Sequence, residues 1–234
     1  MCGSVLARFL RHDGVGVVVA IDGPSGVGKS TVSQAAASQL GFEYLDTGST
    51  YRAATLAVVR SGVDVADEAG VLAELEGHSI DYTEIGIVLD GESVAFDVRS
   101  DEVTRNVSAV SALPNVRSAI VEMQRRWVDA RDGDAVVEGR DIGTVVFPDA
   151  PVKIYLTASP LVRAKRRAGD VEASGKTVEE IAAEIEARDH ADSTRKTSPL
   201  RPASDAIIID TSELTIDEVV AQIVESVSAA GVRG

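Results

Sequence analysis

Short apolar runs alternate with longer stretches of helical spacing along most of this chain. The runs fall at 16–22, 42–46, 134–138, 152–157 and 206–210. Val17-Val18-Val19-Ala20-Ile21 and Ala135-Val136-Val137 hold no polar residue. Such runs predict strands buried on both faces, as in a parallel sheet with helices on either side. Between them the spacing predicts helices over 31–40 and 49–61, with Gly41 and Gly62 placed to end them. The stretch 214–230 sets Val219, Val220, Ile223 and Val227 among acidic residues, an amphipathic final helix. Ligands of such sheets bind beyond the carboxyl ends of the strands.

One segment keeps a different period. Residues 80–98 alternate every second position, with Ile85, Ile87 and Leu89, then Val94, Phe96 and Val98. Asp90-Gly91 lies between the two runs as a hairpin turn. A β-rich insert of this kind predicts a small lobe, not another strand of the main sheet. Residues 169–177 read as a loose linker, and no internal repeat or low-complexity tract interrupts the chain.

The first strand runs into Gly23-Pro24-Ser25-Gly26-Val27-Gly28-Lys29-Ser30, followed by Thr31. This fits G-x-x-x-x-G-K-[ST], in the strand–loop–helix setting that a phosphate-binding P-loop requires. Its glycines let backbone N–H groups point inward as an anion nest, and the next helix adds its positive end. Lys29 would reach the β- and γ-phosphates of a nucleotide, and the Ser30 hydroxyl would ligate Mg²⁺.

Composition narrows the picture. The chain has 234 residues, 44% of them hydrophobic, enough for one sizeable core and a small extra lobe. Its net charge of −14 disfavours coating a nucleic-acid backbone or an anionic membrane. Phosphate ligands then need locally gathered arginines, and Arg52, Arg117, Arg140, Arg163, Arg166, Arg167, Arg188 and Arg195 are candidates. Cys2 is the single cysteine, which excludes an internal disulfide and agrees with the cytoplasm. No apolar run approaches the roughly 20 residues of a membrane span. Residues 1–14 lack a signal peptide's apolar core and read as a disordered extension.

Three polar constellations remain. Asp46-Thr47-Gly48 closes the second strand, with Tyr51-Arg52 following in the next helix. Glu138-Gly139-Arg140-Asp141 closes the third, beside the P-loop, where an acid such as Glu138 can hold Mg²⁺ directly or through water. Arg188, Asp192 and Arg195 share one helical stripe. Spacing alone also describes a solvated ion-pair ladder there, the more ordinary outcome. With three histidines in the chain and no second cluster, His190 and Asp192 do not make a zinc-type site.

The P-loop, Leu45-Asp46-Thr47-Gly48 with Tyr51-Arg52, the run from Glu138 to Ala150 and the run from Arg188 to Arg195 together resemble bacterial cytidylate kinases. The resemblance extends from Val17 to the C-terminus. It implies an α/β, adenylate-kinase-like fold, with a five-stranded parallel sheet, flanking helices, a small β-rich insert and a short lid. It implies transfer of the γ-phosphoryl group of ATP to CMP or dCMP, with Mg²⁺. A single kinase domain would span 15–234. Its core would take 15–78, 114–160 and 200–234, the monophosphate-binding insert 79–113 and the lid 161–199.

The same resemblance implies roles residue by residue. Thr47, Arg52 and Arg140 would hold the CMP phosphate, while Ser108, Arg117 and Asp141 would face the cytosine. Arg188 and Asp192 would contact ribose and phosphate from the lid side, and Arg195 would close over the monophosphate. Lys29, Arg140, Arg188 and Arg195 would carry the catalytic charge. Arg163, Arg166 and Arg167 fall at the lid entrance, beside the ATP phosphates. The expected partners are ATP and CMP or dCMP, with no nucleic acid or membrane, and the expected state is a monomer. Two other readings share parts of this pattern. A small-acid kinase of the shikimate type would not need the β insert or a base-reading set. A GTP switch would carry Asn-Lys-x-Asp, but Asn106 and Asn115 are each followed by valine.

Overall fold

The computed structural model describes residues 16–131, 133–169 and 175–231. The predicted extension 1–14 and most of the predicted linker 169–177 lie outside the described residues. Strands β1 (Val18–Asp22), β2 (Glu43–Asp46), β6 (Ala135–Gly139), β7 (Val152–Thr157) and β8 (Ile207–Asp210) form one parallel sheet in the order β2-β6-β1-β7-β8. All five predicted runs are therefore strands of that sheet. β1 is central, pairing Val18 with Ala135 and Asp22 with Gly139 on one side, and Val19 with Val152 on the other.

Every residue of β1 is buried, and its alternation divides the core. Val19 and Ile21 pack with Leu40 of α1 (Lys29–Leu40) and Ile223 of α8 (Ile216–Ala229). Val18 and Ala20 pack on the other face with Val121 and Trp127 of α5 (Pro114–Asp129). Burying one side chain such as Ile21 contributes about 1.5–3 kcal/mol, so a polar residue on either face of β1 would open one half of the core.

Helix ends follow local capping chemistry. α1 begins at Lys29, two residues before the predicted start, because Gly28 caps it with φ 92°. α2 (Thr47–Ser61) begins two residues before its predicted start as well, where the Asp46 side chain accepts from the Ser49 N–H. Gly41 and Gly62 end the two helices in the left-handed conformation, as predicted. A capping box between Thr215 and Glu218 starts α8.

The β-rich insert forms a sheet of its own, as predicted, but its second run differs. It is a three-stranded antiparallel sheet of β3 (Ile80–Thr83), β4 (Gly86–Leu89) and β5 (Glu92–Ser93). Asp90-Gly91 is a turn as predicted, but the run Val94–Val98 is not a strand. Val94 and Val98 are buried across a turn and a 3₁₀ helix at Asp97–Arg99, while Phe96 is 91% exposed. Two core contacts four residues apart imitate the period of a strand when Phe96 stands midway. The insert packs with α2, α3 (Glu68–Gly77) and α4 (Asp101–Val110) in its own apolar cluster, around Val58, Val71 and Val103.

Candidate active site

The parallel sheet sends the carboxyl ends of β1, β2 and β6 to one edge, where a cleft of 1490 Å³ opens. The loop after β1 forms its floor. Gly23 and Gly26 take φ of 155° and 77°. A side chain at Gly23 would overlap the Leu156 carbonyl, and a Cβ at Gly26 would come within 2.8 Å of the Arg163 carbonyl oxygen. Glycine is needed at both for conformation and for space. The Lys29 ammonium folds back over the loop and donates to the Gly23 and Pro24 carbonyls, both at 2.9 Å. Dense enclosure of the charged end lowers its pKa to about 8, with Arg140 adding repulsion, although part of the residue stays open to the cleft.

Across the loop stands the carboxyl end of β6. Glu138 is buried, its pKa is raised to about 7 by burial and then by Asp46, and Tyr44 donates a short hydrogen bond to it. Burial and the neighbouring acids raise the Tyr44 pKa as well. Thr47 donates its hydroxyl proton to the Glu138 carbonyl at 2.6 Å. Arg140 reaches back to the P-loop, donating to the Ser25 hydroxyl at 2.7 Å and the Gly23 carbonyl at 3.1 Å. Its Nε lies 3.2 Å from Asp192 and its Nη1 3.0 Å from Asp189.

Asp141 is buried and paired with Arg117 at 2.5 Å. Arg117 also donates to the Ser111 carbonyl at 3.2 Å and lies 5.2 Å from the centroid of the Tyr51 ring. The Tyr51 hydroxyl is buried beside this pair without a hydrogen-bond partner. Ser108 lines the same cleft, and its carbonyl accepts from the Ser111 hydroxyl at 3.1 Å. Arg52 donates to the Val98 carbonyl at 2.9 Å and to Thr104 at 3.0 Å, which ties α2 to the start of α4.

α7 (Val178–Thr194) closes the site from the other side. Asp192 is buried, and Arg195, capping the helix, pairs with it at 3.2 Å. Arg188 lines the cleft, and burial, then Arg140 and Arg52, lower its pKa to about 10. The predicted stripe is thus part of the cleft rather than a solvated ladder. Arg163, on α6 (Pro160–Ala168), donates to the Ser25 carbonyl and closely to Asp189. Arg166 is bound to Val27 and Thr211 carbonyls at 3.1 and 2.6 Å, and Arg167 lines the cleft.

Sequence reasoning passed over several of these groups. Asp189 accepts from the Ser25 N–H at 3.0 Å as well as from Arg140 and Arg163. Tyr44 and Asp22 also entered no prediction, although Asp22 adjoins the P-loop, and Tyr51 stood in a motif without an assigned role. The cleft continues past Thr211 to Leu214 and Ile216. That apolar end follows β8, where no motif marks it.

A P-loop beside an arginine-rich pocket at the carboxyl edge of a parallel sheet defines a P-loop phosphotransferase. Residues 19–229 match the family described as cytidylate kinase. The chain belongs to the cytidylate kinase family. It is 51% identical over 213 residues to the cytidylate kinase of Mycobacterium leprae, covering 90% of this chain and 95% of that one. With that of Corynebacterium efficiens it is 49% identical over 224 residues, 93% and 97% of the two chains. Among solved structures, an uncharacterized protein from Eubacterium ventriosum superposes with a TM-score of 0.52 at 13% identity, over 91% of this chain and 98% of the other. That likeness concerns the fold alone.

Proposed function

We infer that this chain transfers the γ-phosphoryl group of ATP to CMP or dCMP, giving ADP and CDP or dCDP. The observation that carries the base assignment is the buried Asp141–Arg117 pair next to Arg140, which itself bonds the P-loop. Cytosine presents an amino donor where uracil presents an acceptor oxygen, and an ionised carboxylate only accepts. Asp141 therefore suits cytosine, with Arg117 orienting it and Ser108 and Tyr51 along the same wall. A kinase for a shikimate-type acid would not need the separate three-stranded insert.

An acceptor-phosphate oxygen attacks the γ-phosphorus, the bond to the β–γ bridging oxygen breaks, and ADP carries that oxygen away. The attacking oxygen is already anionic near neutral pH, since a phosphate's second pKa is about 6. No general base is required. Lys29, Arg140, Arg188 and Arg195 stabilise charge on the equatorial oxygens, Arg52 holds the acceptor phosphate, and Asp192 orients Arg140 and Arg195. A phosphate role for Thr47 requires its hydroxyl to leave the Glu138 carbonyl. The ATP phosphates lie on residues 23–31, with Arg163, Arg166 and Arg167 along their lid side.

Ser30 and Glu138 are oxygen donors that hydrogen-bond at the phosphate end of the loop. They fit a Mg²⁺ held by the hydroxyl, by phosphates and by water, with Glu138 acting through water. Such an ion would supply neutralisation of the phosphate charge. Among the described residues no group of three or more His, Cys, Asp or Glu could hold a metal ion unaided, and no helix is long and apolar enough to cross a membrane. The reading is completed by a cytoplasmic monomer with insert 79–113 and lid 161–199. An acceptor screen with CMP, dCMP, UMP, AMP and shikimate, detecting ADP, tests it. CMP and dCMP should lead. Preference for UMP or shikimate would overturn it.

A further inference from the structure

Between Arg140 and the start of β7 the chain makes a wide turn that is neither an α-helix nor a simple loop. Val145 and Val146 N–H both bond the Asp141 carbonyl, at 2.8 and 3.2 Å, and Phe147 N–H bonds the Ile142 carbonyl at 2.7 Å. This is a single π-helical turn, Ile142–Val146. Such a turn leaves its first N–H groups and last carbonyls without partners of its own. Two distant side chains supply them. Asp22, the last residue of β1 and 3% exposed, accepts from Ile142 N–H on one carboxylate oxygen and Gly143 N–H on the other, both at 2.8 Å. Arg125, on α5, donates from Nε to the Val146 carbonyl at 2.7 Å and from Nη2 to the Val145 carbonyl at 2.8 Å.

We propose that Asp22 and Arg125 are positioning residues that clamp the 142–146 turn at both ends and so set Arg140 and Asp141 against the phosphate-binding loop. The proposal rests on the reading of Arg140 and Asp141 as acceptor-site groups. Asp22 immediately precedes Gly23, the first residue of the P-loop. The same strand end thus fixes the donor loop on one side and the acceptor turn on the other. A carboxylate in this spot is costly to bury without a bonded cation, and burial is what raises its pKa most, to about 6. An apolar side chain would fill the space at lower cost. It could not offer two directed acceptors to adjacent N–H groups.

The test compares Asp22→Asn and Arg125→Ala with the unaltered chain and with Asp141→Ala. It measures kcat and KM for CMP, UMP and ATP, together with melting temperature. Asn presents one acceptor and an NH₂ group toward two N–H donors, so it loosens the turn with little change of volume. A displacement of this kind near the reacting groups can cost up to about 10²-fold in rate. Asp22→Asn should lower kcat/KM for CMP by about tenfold and narrow the CMP/UMP ratio. Arg125→Ala, on a side chain exposed outside the cleft, should move both in the same direction, with KM for ATP unchanged within measurement. A purely structural role would lower the melting temperature alone. The proposal is overturned if folded Asp22→Asn keeps its CMP/UMP ratio of kcat/KM. Should that variant not fold, an unchanged ratio in Arg125→Ala overturns it. If Asp141→Ala narrows the ratio while the clamp variants do not, the clamp fails and the base-reading assignment stands. If Asp141→Ala leaves the ratio unchanged as well, both fall.

Discussion

The two halves of the cleft are built in opposite ways. The donor half is one unbroken stretch, residues 23–31, in which backbone N–H groups and glycine conformations make the contact surface and Lys29 is its principal charge. The acceptor half is assembled from α2, α5, the turn after β6 and the end of α7, largely through side chains with distant partners. On the proposed reading, the difference follows from what each half would recognise. A triphosphate tail is the same anion in every nucleotide, and a short nest of amides suffices for it. A nucleobase has to be told from its relatives, a task that Asp141, fixed by its buried counter-ion Arg117, would suit.

Removing the chief charge of the donor half should have the largest effect. Lys29→Ala is expected to lower kcat by at least about 10²-fold, the scale of losing one preorganised charge-stabilising donor, with the melting temperature little changed. A coupled ADP assay beside a thermal melt checks this. Near-normal turnover in a folded variant would break the P-loop assignment.

Damage to the acceptor half should show as lost discrimination. Leaving a buried group unpaired costs roughly 1–3 kcal/mol, so the CMP/UMP ratio should narrow by about tenfold or more in Asp141→Ala. That variant should also melt lower, since Arg117 is left as a buried charge without its partner. An unchanged ratio of kcat/KM removes Asp141 from base reading. Arg188→Ala and Arg195→Ala should each lower kcat/KM for CMP by about fivefold to tenfold, or about 1 kcal/mol. Values within about twofold of the unaltered chain, roughly 0.4 kcal/mol, would return both to the surface.

The smallest effect sharpens the comparison through pH. In the free protein Lys29 titrates at about 8, below its ordinary value. Its charged form attracts phosphate, so affinity for ATP is full below that pH and declines as pH rises through it. Between pH 7.5 and 8.5 the dissociation constant should rise about threefold. The slope should vanish in Lys29→Ala, and a slope that survives there belongs to another group.

The same contrast governs what could be read from the sequence. The P-loop was legible because its chemistry is local, and the five strands because each buries an uninterrupted apolar run. The 94–98 segment was misjudged because Val94 and Val98 reach the core from a turn and a 3₁₀ helix, yet match a two-residue period. Spacing alone favoured a solvated ladder for Arg188, Asp192 and Arg195. What makes Asp192 part of the cleft is Arg140, 52 positions away on another element. Asp22 gave no signal, because its meaning depends on two N–H groups 120 and 121 residues further on. A single polar residue at a strand end has no period and no local partner to announce it.

The central place of β1 also has a bearing on how the molecule comes into being. Its neighbours are drawn from 135–139 and 152–157, so this strand waits for more than half the chain before either flank is paired. The insert strands, by contrast, join across turns of two residues within 80–93. Distant parallel pairings form slowly because long loops must close before any contact rewards them. At a synthesis rate of about 5–20 residues per second, the interval between β1 and β6 is on the order of ten seconds. The cleft at the carboxyl end of β1 is therefore expected to be among the last features to mature, once β6 has paired with Val18–Asp22.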